Sequence, residues 1–238
     1  MNLERSLLVL GREGLDRLAS SRVIIFGVGG VGGWCAEALV RSGLGHIVLV
    51  DFDRVAESNL NRQIMATSTT IGMPKVEVLR TRLLEINPQA DVVARQERFS
   101  RENPEAIDLS GYDYIIDAID SLQDKMRLIE HASRAPGKTF SSMGAACKMD
   151  PTRVRVAEFW EVRGCPLGSA LRKKMRQMEI TTGKEVMCVY SDELIPNRWE
   201  EAGLTGDKLP NGSLVTVTAT FGLTIASLVI KDIMNNAN

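Results

Sequence analysis

The chain has 238 residues, 44% of them apolar, and a formal charge of −1. That length builds one substantial core and excludes two large domains, while the balanced charge gives the whole-molecule field no preferred partner. Four cysteines, Cys35, Cys147, Cys165 and Cys188, form no C-x-x-C pair, which argues against a structural zinc site and suits a reducing, cytoplasmic compartment.

In chain order, MNLERSLLVLGREGLDRL (1–18) carries mixed charge, with Leu7, Leu8, Leu10, Leu15 and Leu18 at helical spacing. It predicts a short helix or pair of helices rather than a signal peptide. RVIIFG (22–27) is continuously apolar, as buried parallel strands are. A helix follows over 30–43, ending on Gly43, and HIVLVD (46–51) is the second strand. Residues 53–73 read as a long polar loop, and 74–87 as a helix with Pro74 at its first position. A third strand at 91–96, a short helical turn at 101–110, a strand with its loop at 112–120, a helix at 122–135 and a strand at 138–144 complete the alternation. His46 and His131 fall inside strand and helix patterns, so neither is expected to be catalytic, and Cys35 and Cys147 read as buried thiols.

Strand and helix alternating five times imply an α/β fold, a Rossmann-like, mostly parallel sheet with helices on both faces. After residue 150 the rhythm breaks. TRVRVAEFW (152–160) alternates and predicts an added antiparallel strand. Residues 166–179 form a basic amphipathic helix with Leu167, Ala170, Leu171, Met175 and Met178 on one face. Another strand at 184–191 and a mobile loop at 192–212 lead into the apolar stretch 213–233. That stretch nearly suffices to cross a bilayer, but four threonines, two serines and a glycine favour a buried or interface helix. Peripheral membrane association through it stays open. The expected organisation is a single unit, with a nucleotide-binding part at 20–150 and a substrate or dimer part at 151–238.

Gly27, Gly29, Gly30 and Gly32 in GVGGVG lie between the first strand and its helix. Such a turn lets backbone approach a phosphate and places an anion at a helix N-terminus. With Asp51 set to hold ribose hydroxyls, this pattern alone fits NAD, FAD and ATP equally. Residues further on decide between them. SNLNRQ (58–63) puts Asn59, Asn61, Arg62 and Gln63 just beyond Asp51 and Asp53, and Lys75 follows in GMPK. Extra cations suit a triphosphate whose departing pyrophosphate develops charge, more than they suit hydride transfer. Asp120, at the end of DAID, is placed to hold Mg²⁺. Asn59 and Asn61 equally fit a turn, Asp53 a loop cap, Lys75 an ordinary helix start, and Asp117 the end of its strand.

The order GxGGVG, DFD, SNLNRQ, GxPK and DAID over 22–145 resembles the ThiF/MoeB/E1 superfamily of ATP-dependent adenylating enzymes. The resemblance implies that Asp51 binds ribose, that Arg62 and Lys75 hold the phosphates with Asn59 and Gln63 in support, and that Asp120 binds Mg²⁺. It also implies a homodimer, with Arg5 as the residue that would reach into the partner's site. TFSSMGAACKMDPTRVRV, GCPLGSALRKKMR and VYSDEL are similar to the tRNA threonylcarbamoyladenosine dehydratase branch. Those enzymes adenylate the threonylcarbamoyl carboxylate of t6A37 in the tRNA anticodon loop, and the substrate itself then cyclises. That step needs no enzyme nucleophile. Adenylation of a ubiquitin-like sulfur carrier is the alternative, and a sulfur-transfer or cysteine desulfurase partner stays open. Residues 153–184 hold eight Lys/Arg against three Asp/Glu. Arg153, Arg155, Arg163, Arg172, Lys173, Lys174 and Arg176 are the candidates to track RNA phosphates, although such a face is often merely solvated. A redox or sulfur-handling pair of Cys165 and Cys188 is the remaining alternative for those thiols.

Overall fold

A computed structural model of the chain describes residues 1–100, 102, 104–206 and 209–235. Arg101 and Asn103 of the 101–110 turn, Asp207 and Lys208 of the 192–212 loop, and residues 236–238 lie outside the described residues.

The run at 22–26 forms β1 (Arg22–Phe26), the strand around which the sheet is built. Val23 and Ile25 point to one apolar cluster, Ile24 and Phe26 to another on the opposite face. Cover on both faces is why the strand reads as continuously apolar. β2 (His46–Val50) lies parallel on one side and β4 (Tyr114–Asp117) parallel on the other. β3 (Asp91–Arg95) extends the first side, and β5 (Lys138–Ser142) the second. β7 (Val186–Ser191) continues in parallel beside β5, and β6 (Val154–Glu158) closes the edge antiparallel to β7. The order is β3-β2-β1-β4-β5-β7-β6, so the chain reverses direction of growth between β1 and β4. A crevice opens at the carboxyl ends of strands at such a reversal.

α1 (Glu4–Ser20) is two helical pieces joined at Gly11, whose φ is 70°. α2 (Gly32–Ser42) stops on Gly43, whose N–H bonds back to Val40 O at 3.1 Å. α3 (Lys75–Ile86) begins one residue later than the sequence suggested. Pro74 keeps an extended ψ of 129° and caps the helix, because the Lys75 amide is drawn to Asp53 O at 3.0 Å. The 53–73 segment is less of a loop than its polarity implies. It carries a 3-10 turn (Glu57–Asn59) and buries Val55, Met65 and Ala66. A 3-10 turn at Pro104–Ala106 stands where 101–110 was expected to be helical.

α4 (Leu122–Ala132) covers one face of the sheet. α5 (Pro166–Gln177) packs over a separate cluster with Phe159, Val162, Val186 and Cys188. Its buried face is Gly168, Leu171, Arg172 and Met175, while Ala170 and Met178 are exposed, which corrects the expected stripe. α6 (Val215–Asn235) is long and apolar enough to cross a membrane. Here Val217, Phe221, Ile225 and Val229 join the main cluster with α2 residues Cys35, Ala36 and Leu39. Its threonine hydroxyls bond the preceding turn, as Thr220 Oγ1 does to Thr216 O at 2.7 Å, which removes the cost of polar groups in an apolar helix.

Candidate nucleotide site

The turn after β1 is shaped by two glycines. Gly27 has φ of 84°, and a Cβ there would stand 2.7 Å from Ala118 O. A Cβ on Gly32 would stand 1.9 Å from Gly27 O, so the first turn of α2 can lie against the strand end only without one. Gly29 and Gly30 line the crevice, whereas Gly32 sits behind them as the packing residue. Asp51, at the end of β2, closes the next wall. Its carboxylate accepts the Val28 amide at 2.8 Å and the Asp53 amide at 2.9 Å. Burial pushes the Asp51 carboxyl above the ordinary carboxylate range, against those amides and the nearby Lys75, which favour the ionised form.

A cavity of about 700 Å³ gathers Gly27, Gly29, Gly30, Asp51, Asp53, Arg62, Gln63, Lys75 and Asp120. Lys75 is buried at the start of α3 and donates to Asp53 Oδ2 at 2.7 Å. Arg62 Nη1 donates to Ser58 O and Asn61 Oδ1, both at 2.8 Å, and no carboxylate is paired with it among the described residues. Gln63 is buried, and its Oε1 has no partner. Asn59 is the exception among the expected residues. It is buried away from the cavity, and its Oδ1 accepts the Ala56 amide at 3.0 Å, so it is the turn residue of its segment. Asp120 is exposed at the crevice, past the carboxyl end of β4. Asp117 is fully buried, taking Lys125 Nζ and Ser141 Oγ each at 2.6 Å, while its other oxygen holds the Ile119 amide at 3.1 Å. It is a strand-end support and not a ligand.

Among the described residues no group of three His, Cys, Asp or Glu side chains forms a metal cage. A lone carboxylate such as Asp120 is compatible with an ion that, like Mg²⁺, takes one or two carboxylates and fills its shell with phosphate oxygens and water.

Several lining residues carry no motif. Arg98 Nη2 pairs with Asp124 Oδ2 at 2.6 Å, and its guanidinium lies 5.3 Å from the centre of the exposed Phe52 ring. Residues 142–148, from the last residue of β5 onward, form a further wall with Cys165–Leu167, Leu194, Pro210, Asn211 and Ser213. Cys147, expected to be buried, is partly exposed on that wall with φ of 58°, its Sγ 3.6 Å from Asn197 Oδ1 and 3.7 Å from Asn211 Oδ1. Cys165 and Cys188 are free buried thiols, and burial pushes the Cys188 thiol up, away from thiolate chemistry.

The basic surface is only partly as expected. Arg153 and Arg155 flank Asp192, at 2.9 and 3.6 Å. Arg163 pairs with Glu161 at 3.3 Å, Arg176 lies 5.5 Å from the Trp160 ring centre, and Lys173 is exposed. Arg172 leaves the set. It is buried, with Nη1 directed to Phe159 O at 3.3 Å, because the helical period turns it inward with Leu171 and Met175.

A doubly wound sheet with a glycine turn, an acidic strand end and cations converging on the same crevice defines a nucleotide-binding protein. The ThiF family model matches residues 3–238, and the chain belongs to that family. It is 37% identical to the tRNA threonylcarbamoyladenosine dehydratase of Bacillus subtilis, over 98% of this chain and 94% of the relative. The Escherichia coli enzyme of that name is 33% identical, over 95% of this chain and 91% of its own length. The crystal structure of the E. coli dehydratase with ATP superimposes with a TM-score of 0.88 at 32% identity, covering 99% and 94% of the two chains.

Proposed function

We propose that the protein is an ATP-dependent tRNA threonylcarbamoyladenosine dehydratase acting in the cytoplasm. The observation that carries this reading is the full-length likeness to dehydratases, including one seen with ATP, together with a cavity that joins the glycine turn to cationic and acidic side chains. ATP lies with its ribose on Asp51 and its phosphates along the turn from Gly27 to Gly30. Arg62 and Lys75 take the charge that gathers on departing pyrophosphate, and Gln63 supports the same end. A carboxylate oxygen of the threonylcarbamoyl group on A37 attacks the α-phosphorus, and pyrophosphate leaves. An atom of the same carbamoyl group then attacks the acyl carbon, closes a ring and expels AMP. The carboxylate oxygen departs on AMP, so the net change is loss of water. Asp120 would hold Mg²⁺, which supplies charge neutralisation at the phosphates. Positioning does the remaining work, so no thiol or hydroxyl of the chain is needed as a nucleophile.

Arg153, Arg155, Lys173, Lys174 and Arg176 supply phosphate contacts for the anticodon stem and loop. A homodimer completes the assembly, with Arg5 on the exposed side of α1. Incubation with ATP, Mg²⁺ and t6A-bearing tRNA tests the reading. Cyclised nucleoside and AMP are expected in equal amounts. Unchanged t6A from protein that binds ATP would refute it. Pyrophosphate exchange stimulated by a carrier ending in Gly-Gly, and not by tRNA, would replace tRNA with a protein substrate.

A further inference from the structure

The cavity is lined by four cations, and they are not equivalent. Lys75 is matched by Asp53 and Arg98 by Asp124. Arg62 belongs to the glycine-turn end. Lys148 is different: it is 4% exposed, lines the cavity, and donates through Nζ to a backbone carbonyl, Glu193 O, at 2.5 Å. No carboxylate pairs with it among the described residues. The Glu193 carboxylate forms no ion pair with it among the described residues, and its Oε2 accepts the amides of Met149 and Asp150 at 3.0 and 2.9 Å. An ammonium has three N–H donors, and a carbonyl neutralises none of its charge. Keeping such a group out of water without an anion is costly.

Its place in the fold says which anion would complete it. The glycine turn follows β1, Asp120 follows β4, and the 142–148 segment follows β5, the next strand across. Two strand spacings, roughly 10 Å, separate the end of β1 from that of β5. The segment after β5 thus brings Lys148 into the cavity on a wall with Ser142, Gly144, Leu167 and Leu194. In the reading above, the nucleotide phosphates already have their own cations, Arg62 and Lys75.

We propose that Lys148 binds the carboxylate of the acyl substrate and aims it at the α-phosphate. This rests on the dehydratase reading and adds to it the residue that recognises the reacting group. The charge serves the ground state, because the carboxyl group itself loses its charge once it becomes the acyl half of a mixed anhydride with AMP. Its loss should therefore fall mainly on KM for tRNA.

The test uses Lys148→Gln, which removes the charge and keeps a polar N–H donor, with Lys148→Arg as the charge-retaining control. Two probes are compared in the presence of a non-hydrolysable ATP analogue: the free t6A nucleoside and its carboxyl methyl ester. The wild-type protein should bind the acid at least roughly 30-fold tighter than the ester. Lys148→Gln should bind both alike, with ATP affinity unchanged, and Lys148→Arg should recover part of the preference. Retained preference in Lys148→Gln would overturn the assignment, and so would an equal loss of ATP affinity, since the charge would then serve the nucleotide. Failure of the dehydratase reading is separable: wild-type protein would then leave t6A in tRNA uncyclised, whereas a fault confined to Lys148 leaves wild-type cyclisation intact.

Discussion

The chain builds its crevice in two ways, and the contrast lies between the walls before and after β5. Before it, the site is largely backbone-made. Gly27 and Gly32 admit a turn that a Cβ would close, Asp51 is fixed by the amides of Val28 and Asp53, and Lys75 starts the helix whose first amide bonds Asp53 O. After it, the site is made by contacts between distant segments. Lys148 meets Glu193, and Cys147 meets Asn197 and Asn211. A wall set by backbone geometry tolerates only particular residues at particular spacings. A wall set by tertiary contacts leaves each residue free to vary with its distant partner.

Five sets of substitutions or conditions sharpen that contrast. The largest effect is expected at Lys125→Met, which strips a fully buried Asp117 of its partner and loosens the strand end that carries the loop to Asp120. A loss of about 3–5 kcal/mol in chemical denaturation is expected. A loss under 1 kcal/mol would mean that the first wall does not depend on this pair. Next, Arg62→Ala and Lys75→Ala should each lower the rate of AMP release by roughly 10²–10³-fold, measured at saturating tRNA. A wild-type rate in either would detach that cation from the chemistry.

Smaller effects belong to the second wall and to solution conditions. Replacing Lys173, Lys174 and Arg176 with alanine should leave ATP binding intact. It should reduce the slope of log affinity for tRNA against log salt by about 2, at ~0.7 for each phosphate contact. Arg172→Ala should instead cost stability, because Arg172 is buried beneath that surface. The smallest effect concerns acid. Burial raises the Asp51 carboxyl, so on lowering pH it protonates sooner than an exposed aspartate would. The ionised form is the one that accepts two ribose hydroxyls. ATP affinity should therefore begin to fall at a pH above the ordinary aspartate range, and a flat profile down to that range would contradict it.

The same contrast explains what could be read in the chain. The parallel order around β1 was legible because cover on both faces leaves continuous apolar runs, and Gly43 marks the end of α2 by the conformation it must adopt. Asp51, Arg62, Gln63, Lys75 and Asp120 were legible as crevice residues because motif order tracks strand order. Asn59 bonds its own turn outside the cavity lining, a placement the chain does not reveal because an asparagine in a turn and one facing a ligand look the same in sequence. Arg172 was misjudged because charge was taken as exposure, although its place in the helical period between Leu171 and Met175 turns it inward. Lys148, Arg98 and Asp124 left no signal, since none of them stands in a motif and their contacts form only in the fold.

The central claim is that the threonylcarbamoyl carboxylate itself attacks the α-phosphate of ATP. Placing ¹⁸O in that carboxylate and letting the protein turn over t6A-bearing tRNA tests it directly, by mass spectrometry of the released nucleotide. One labelled oxygen should appear in AMP for each ring closed. Unlabelled AMP, or release of ADP and phosphate instead, would contradict it.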